Sequence, residues 1–442
     1  MPKSPVRKGR GAARPAAARP HTSAAPDSIA PHRRGVKKVV LAYSGGLDTS
    51  VIIRWLIENY GCEVIAFAAD LGQGEELAPL RKKALMTGAS KYIQRDLREE
   101  FVRDFIIPAI QANALYEGKY PMATSLGRPL IAKHLIEIAQ AEGADAIAHG
   151  CTGKGNDQCR FEFTAFALDP GIRCIAPVRE WELKTRDEEI EYAKKYKIPV
   201  VATKKKPYSL DKNLYGCSIE CGVLEDPWNE PPEDAWQDST SPLKAPNRPV
   251  DVMISFEKGV PKALDGRRMS TLTLIEKLAA LGYKHGVGRL DLVENRLVGI
   301  KSREVYEAPA SVILIQAHKE LETICLDRDT VRFKEIVGQK FTDLIYNGWW
   351  YSPLRESLQA FVEKTQDTVT GDVVMRLYKG SATPIRRRSP YSLYDKSLAT
   401  YEAGDQFRHD SAVGFIDIFG LPLRVYASMR KRKSTGTTKK AK

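Results

Sequence analysis

Residues 37–60, KKVVLAYSGGLDTSVIIRWLIENY, decide the fold. Lys37–Tyr43 is short, β-branched and apolar, which predicts a buried strand. Ser44-Gly45-Gly46 is a tight turn. Asp48, Thr49 and Ser50 then open a helix whose apolar residues Val51, Ile52, Trp55 and Leu56 recur at helical spacing. A strand, a small-residue loop and a helix start in direct succession make an anion site. The glycines admit a ligand close to the backbone, and the free N–H groups of the helix end point at it. Ser44, Thr49 and Ser50 add hydroxyl donors. No lysine follows as in GxxxxGK[ST], so this is not a Walker loop.

Working outward, apolar strands alternate with helices. Glu63–Asp70 (EVIAFAAD) reads as a second buried strand, followed by a helix near 75–87. Lys91–Leu97 is a third strand. Residues 99–117 read as one long helix with a kink at Pro108. Arg128–Glu142 is an amphipathic helix, Ala144–His149 and Ile172–Pro177 are strands, and Thr185–Lys197 is a charged helix. This order predicts an α/β domain, a doubly wound parallel sheet with helices on both faces. Ligands bind such sheets at the carboxyl ends of the strands. Ser44, Asp70 with Ala69, and Gly150 lie at those ends, so three loops should converge on one crevice.

Residues 204–250 change character, being dense in Pro, Gly and turn formers, and place a domain boundary near 205. Beyond it, Val250–Glu257 is a strand, Leu272–Leu281 a helix and Gly286–Val298 a strand with a polar turn. Residues 310–337 and much of 340–364 are helical; Val373–Tyr378 and Phe415–Phe419 are strands. Strands and helices in blocks indicate an α+β second domain. The division is therefore 1–36 as a disordered basic extension, 37–205 as the nucleotide-binding domain, 206–422 as a second domain, and 423–442 as an arm and basic tail.

A chain of 442 residues can bury large cores, and no apolar run reaches the length of a membrane span. The net charge of +13 is located at the ends. Residues 1–36 carry +7 and residues 430–442 another +7, which leaves the body at −1. A neutral body argues against a nucleic-acid-binding core. The Arg-rich, acid-poor start leaves an organellar transit peptide open. Seven cysteines, an odd number, suit reduced thiols in the cytoplasm better than a disulfide frame. Cys217 and Cys221 have no second Cys/His pair to complete a zinc site. Trp349-Trp350-Tyr351 reads as a packing cluster, with a base-stacking platform as the alternative.

The heptapeptide SGGLDTS resembles the pyrophosphate loop of the N-type ATP pyrophosphatases, which split ATP between its α and β phosphates. In isolation it also reads as an ordinary glycine turn capped by Asp48. A second polar loop, GCTGKGNDQCR (150–160), packs three glycines around Thr152, Lys154, Asn156 and Asp157. Lys154 suits phosphate or carboxylate, Asp157 an ammonium group or, through water, a metal, and Arg160 a carboxylate. Alone, this loop also reads as a solvated glycine-rich surface.

Five motifs in order strengthen the resemblance: AYSGGLDTS, TSLGRP, HGCTGKGNDQCRFE, YSLDKNLYGCSIECG and GVGRLDLVENRLVGIKSREVYEAPA. Together they are similar to the argininosuccinate synthase family in its bacterial form, over about 37–425. The basic tails and Cys159, where an aliphatic residue is expected, depart from the pattern. The resemblance implies a ligase that joins citrulline and aspartate at the expense of MgATP, through a citrulline adenylate, giving argininosuccinate, AMP and pyrophosphate. It implies an ATP site at Ala42, Tyr43, Ser44, Gly45, Gly46, Leu47, Asp48, Thr49, Ser50, Ala69 and Gly150. Thr124, Thr152, Asn156 and Asp157 fall to aspartate. Tyr120, Ser125, Arg160, Ser209, Ser218, Glu294 and Tyr306 fall to citrulline. Asp48, Lys154 and Asp157 are expected to assist the chemistry. The Mg²⁺ ligands are not implied. A homotetramer with no membrane and no nucleic-acid partner is implied as well. Two other readings stay open on the residues alone. One is a tRNA-modifying enzyme using the basic tails and Cys217 or Cys221. The other is a non-catalytic ATP-binding protein.

Overall fold

The computed structural model describes residues 33–74, 77–199 and 208–437. The expectations for 1–32, for Glu75 and Glu76, for the boundary near 205 and for 438–442 fall outside the described residues. Strands β1 (Lys38–Ala42), β2 (Glu63–Asp70), β3 (Lys91–Asp96), β4 (Ala146–Ala148) and β5 (Arg173–Ile175) form one sheet in the order β3-β2-β1-β4-β5. Every pairing in it is parallel. Alternation along the strands divides the apolar residues between two cores. Val39, Leu41, Val64 and Ala66 face the helices Leu47–Tyr60 and Arg186–Lys195. Val40, Ile65 and Phe67 face the helix Gly127–Glu142 on the other side. The chain winds from β1 outward to β3, then returns past β1 to β4 and β5. The crevice between the ends of β1 and β4 is the switch point where such sheets take ligands.

The expected long helix is shorter and more broken. It runs Arg98–Phe101, then a π-helical turn Val102–Ile106, then Ile107–Gln111. Pro108 has no N–H, and the widened turn before it absorbs the missing bond. The helix stops at Gln111 rather than Glu117. Asn113 takes a positive φ of 52°, and Tyr116 and Tyr120 form an isolated antiparallel bridge.

The second half contains two antiparallel sheets. One joins β6 (Ser209–Asn213), β7 (Gly216–Glu220), β11 (Arg289–Asn295) and β12 (Lys301–Glu307) in the order β11-β12-β7-β6. The other orders β10 (Arg267–Arg268), β9 (Val260–Leu264), β8 (Val250–Glu257), β13 (Gly371–Tyr378) and β14 (Ser381–Arg388). Helix Pro309–Cys325 packs between this second sheet and the first half, and Arg328–Tyr346 lies beside it, with Lys334 paired to Glu322 and Gly338 against the Ala112 carbonyl. One apolar core accordingly runs from Val40 and Phe105 through Ile313 and Phe341 to Val373 and Met375.

Three expectations are corrected here. The turn-rich stretch after 204 contains the β6–β7 hairpin, whose Cys217 and Ile219 bury against Leu224, Ala235 and Val305. The helical run 310–337 is two helices, broken where Asp327 caps the second by accepting from the Asp329 and Thr330 N–H groups. Phe415–Phe419 is not a strand. It ends the helix His409–Phe419, because no neighbouring strand is there to satisfy its backbone and a helix satisfies its own. Of the expected packing cluster, Trp350 is buried and stacks on Phe105 with ring centroids 4.6 Å apart, whereas Trp349 is 52% exposed.

Candidate active site

The first loop leaves β1 at Tyr43 and enters the helix Leu47–Tyr60 through Gly46. Gly46 is the N-cap and has no side chain to fill that role. The first intrahelical bond is Ser50 N–H to the Gly46 carbonyl at 3.2 Å, so the N–H groups before it have no helical acceptor. The helix dipole adds partial positive charge at the same point. Gly45 holds φ at +80°, and Leu80 occupies the space where its Cβ would stand. Ser44 Oγ and Thr49 Oγ1 lie 3.1 Å apart at the rim. Ser50 differs from its neighbours. It is fully buried, and its hydroxyl donates to the Gly46 carbonyl at 2.6 Å, bracing the turn from behind.

In front of this turn opens a cleft of about 610 Å³. Its walls include Ala42, Tyr43, Ser44, Gly46, Leu47, Asp48, Thr49, Ala69 and Gly150 from the first sheet's edge. Tyr120, Thr124, Ser125, Thr152, Asn156, Asp157 and Arg160 follow, and Ser209, Ser218, Glu294 and Tyr306 come from the second half. The cleft thus gathers nearly every residue singled out in the sequence. Gly45, Ser50 and Lys154 are not on its wall. Gly45 and Ser50 shape the turn, and Lys154 is exposed on the second loop, its carbonyl accepting from Arg296 at 3.4 Å.

The second loop is pinned from inside. Gln158 donates to the carbonyls of Gly153 and Gly155 at 2.7 and 3.1 Å, and Arg179 holds Gln158 in turn at 3.0 Å. A Cβ on Gly150 would lie 3.2 Å from both Thr49 and Ile52, so the loop rests on the first helix. From the other side Asn156 accepts the Leu297 N–H at 2.8 Å, tying the loop to the β11–β12 hairpin. The β6–β7 turn is tied likewise. Leu214 N–H donates to the Leu71 carbonyl at 2.7 Å, and Asn213 donates to the Ala123 carbonyl at 2.8 Å.

Charge in the cleft is arranged in alternating partners. Asp157 accepts from Arg128 Nε at 2.8 Å and from Arg160 Nη1 at 2.7 Å. Burial works to raise its pKa, but the two guanidiniums outweigh burial and hold it at about 2. Asp211 also pairs with Arg128, yet burial keeps its pKa above the ordinary carboxylate value. Arg160 further donates to the Tyr346 carbonyl at 3.1 Å and lies over the Tyr346 ring. Deeper in, Glu294 is buried and accepts from the Tyr306 and Tyr346 hydroxyls. Burial, with the nearby Glu304 carboxylate second, pushes Glu294 up to about 7. Arg296 bridges Glu220 and Glu304, each at 2.7 Å. Tyr120 stacks on Tyr306 at 4.1 Å, and its oxygen accepts the Thr124 and Ser125 N–H groups at 3.1 and 3.2 Å. At the cradle end the carboxyl of Glu189 lies against Asp48; burial first and that neighbour second raise it to about 8.

The sequence reading missed Arg128, Asp211, Glu220, Arg296, Glu304 and Tyr346. Arg128 stands inside the TSLGRP motif and Asp211 inside YSLDKN, so both were within reach. Glu220 and Glu304 owe their place to strand alternation, Arg296 to the turn after β11, and Tyr346 to the end of the helix Arg328–Tyr346. Asp211 pairs across to Ser218 and Ser218 to Tyr306 in one row, which turns their side chains to the cleft. Cys217, of opposite parity, is turned to the apolar cluster behind, and burial raises its thiol pKa. A sulfur-transfer role for Cys217 finds no support in that placement.

Two family models cover most of the chain. The Arginosuccinate synthase N-terminal HUP domain matches residues 38–199, and the Arginosuccinate synthase C-terminal domain matches 208–426. The argininosuccinate synthase of Carboxydothermus hydrogenoformans is 58% identical over 395 residues, 89% of this chain and 98% of the relative. That of Symbiobacterium thermophilum is 56% identical over 399 residues, 90% and 99% of the two chains. A solved U34-tRNA thiolase, NcsA from Methanococcus maripaludis, aligns over 39% of this chain and 60% of its own. Its identity is 18% and its TM-score 0.26, too slight a likeness to bear on fold or function.

Proposed function

The chain belongs to the argininosuccinate synthase family, and from that premise we propose how its cleft divides the work between nucleotide and amino acids. The enzyme ligates citrulline and aspartate to argininosuccinate, using ATP, in arginine biosynthesis. In our reading the triphosphate lies along the Ser44–Thr49 turn, with its β and γ phosphates at the uncapped helix end and the adenosine toward Ala42 and Ala69. Gly150 closes the site from the side.

The amino acids take the other end of the cleft. A urea carbonyl is a poor electrophile, because its oxygen cannot leave as oxide. Its attack on the α-phosphorus, with loss of pyrophosphate, converts that oxygen into part of an AMP leaving group. The aspartate amine then adds to the ureido carbon, and AMP departs. No side-chain nucleophile is needed, so the protein supplies positioning and charge compensation. Glu294 is placed to receive the citrulline ammonium group, with Tyr120, Ser125, Arg160, Ser209, Ser218 and Tyr306 around its carboxylate and chain. Thr124, Thr152, Asn156 and Asp157 are placed for aspartate. Asp48 and Lys154, at the mouths of the two loops, are assigned a part in handling the phosphate charge.

Among the described residues no group of three or more His, Cys, Asp or Glu side chains forms a cation cage. Mg²⁺ fits this donor set as a companion of ATP, held by phosphate oxygens and water, with Asp48 the exposed carboxylate beside them. Bound there, it would neutralise phosphate charge. Seven free thiols suit a reducing, cytoplasmic setting. A homotetramer, with the two C-terminal helices as the joining arm, belongs to the same proposal, as does a division of the chain near residue 205.

The observation that carries the reading is one cleft with an uncapped helix end at one pole and Glu294 at the other. A pyrophosphate-release assay with each substrate omitted in turn tests it. Sustained release should require citrulline and aspartate together. Release with ATP alone, unchanged by either amino acid, would sink the assignment.

A further inference from the structure

The first loop has no Walker-type lysine in its own sequence, but a lysine reaches it from outside. Lys83, in the helix Leu80–Thr87, donates from Nζ to the carbonyl oxygen of Gly45. The helix that carries it is fitted to the turn. Leu80 Cδ2 lies 2.1 Å from where a Gly45 Cβ would be, so only glycine admits this contact. Lys83 itself is fixed at both ends of its peptide. Its N–H donates to the Pro79 carbonyl at 3.2 Å, and its carbonyl accepts the Thr87 hydroxyl at 2.8 Å. The ammonium is half-buried, and burial draws its pKa down; no described carboxylate forms an ion pair with it. A half-buried cation spent on a single main-chain carbonyl calls for a reason.

The geometry of the peptide supplies one. The described chain contains no cis peptide bond. Across a planar trans peptide the C=O and N–H point in opposite directions. A Gly45 carbonyl held toward the helix Leu80–Thr87 therefore turns the Gly46 N–H the other way. That way lie Ser44 Oγ, 3.4 Å from the Gly46 nitrogen, and the cleft that both residues line. Were this peptide to flip, which glycine on both sides of it allows because the flip turns ψ of Gly45 and φ of Gly46, a carbonyl dipole would face the phosphates in place of a donor. We propose that Lys83 is a positioning residue for the pyrophosphate group: it locks the Gly45–Gly46 peptide with its N–H inward and sets a positive charge directly behind the cradle. The inference rests on the reading that the pyrophosphate end of ATP binds in this turn.

Three proteins test it: the wild type, Lys83→Met and Lys83→Arg. Inorganic pyrophosphate binding is measured by calorimetry, alongside KM for each of the three substrates and thermal unfolding. Lys83→Met should weaken pyrophosphate binding and raise KM for ATP by about tenfold or more, the scale of one charge-assisted hydrogen bond. KM for citrulline and for aspartate should stay within about twofold of wild type. Lys83→Arg, which keeps charge and donor, should recover most of the loss. Unchanged pyrophosphate and ATP constants in Lys83→Met would overturn the inference. So would a uniform loss across all three substrates with a lowered unfolding temperature, which is the mark of a merely structural contact. Failure of the wild type to bind pyrophosphate is a separate outcome. It would remove the reading of the turn, and this inference with it.

Discussion

Glu294 shows how one side chain couples stability to substrate affinity with opposite signs. Its folded pKa of about 7 stands above its ordinary 4.5. A raised carboxyl favours the folded state below the unfolded value and loses that contribution as pH rises through the folded one. Under the proposed assignment citrulline needs the reverse, since its ammonium group would pair with the carboxylate. We therefore expect KM for citrulline to rise as pH falls from about 8 to 6, while KM for ATP changes little. Glu294→Gln should bind citrulline weakly at every pH and lose this dependence, and steady-state kinetics across the range read it directly. A pH-dependent KM surviving in Glu294→Gln would place the titrating group elsewhere. The sequence alone could not disclose this behaviour. The family resemblance offered Glu294 as a citrulline contact, and only the packing of Tyr306 and Tyr346 over it makes it a buried, titratable one.

Among the elements, those with strong periodicity were readable and those defined by their neighbours were not. β2 begins and ends where its apolar run does, at Glu63 and Asp70. β12 and β14 carry so much charge that only their pairing partners make them strands. The hairpin β6–β7 hid behind turn-forming residues for the same reason. Close approach between elements was hidden too. Gly348, at φ +80°, ends the turn after the helix Arg328–Tyr346 and stands against the second loop's helix; a Cβ there would be 2.8 Å from Arg160 Cα. Gly348→Ala must both strain this backbone and push Arg160 outward. We expect a destabilisation of about 1–3 kcal/mol in urea unfolding, together with a raised KM for citrulline. Unchanged values of both would show that the helix has room to shift.

At the scale of the molecule, the arm is the part that does not close on itself. The helices His409–Phe419 and Leu421–Thr437 meet at a 45° bend. Phe415, Ile418, Phe419 and Leu423 are each more than 60% exposed, a row of apolar side chains that a lone chain leaves in water. No single described helix is long and apolar enough to cross a membrane. If the proposed homotetramer is joined through these helices, deleting residues 409–442 should lower the mass measured by light scattering from four chains to a smaller species, with each domain still folded by circular dichroism. A deleted protein that remains a tetramer would move the assembly surface elsewhere. The sequence points to an arm only from residue 423, and part of its first helix, His409–Phe419, reads there as a strand. Contacts outside one chain leave little trace in that chain's periodicity.

The cradle proposed for the phosphates has a genetic consequence. Its principal donors are peptide groups, which every amino acid but proline brings along. Point changes at Leu47, Asp48 or Thr49 to anything but proline cannot erase those donors by altering a side chain. Inactivating alleles in this region should therefore gather at Gly45 and Gly150, where added bulk meets Leu80, Thr49 and Ile52. A random-mutagenesis screen would find the loop vulnerable to crowding and, outside Asp48, tolerant of lost functional groups.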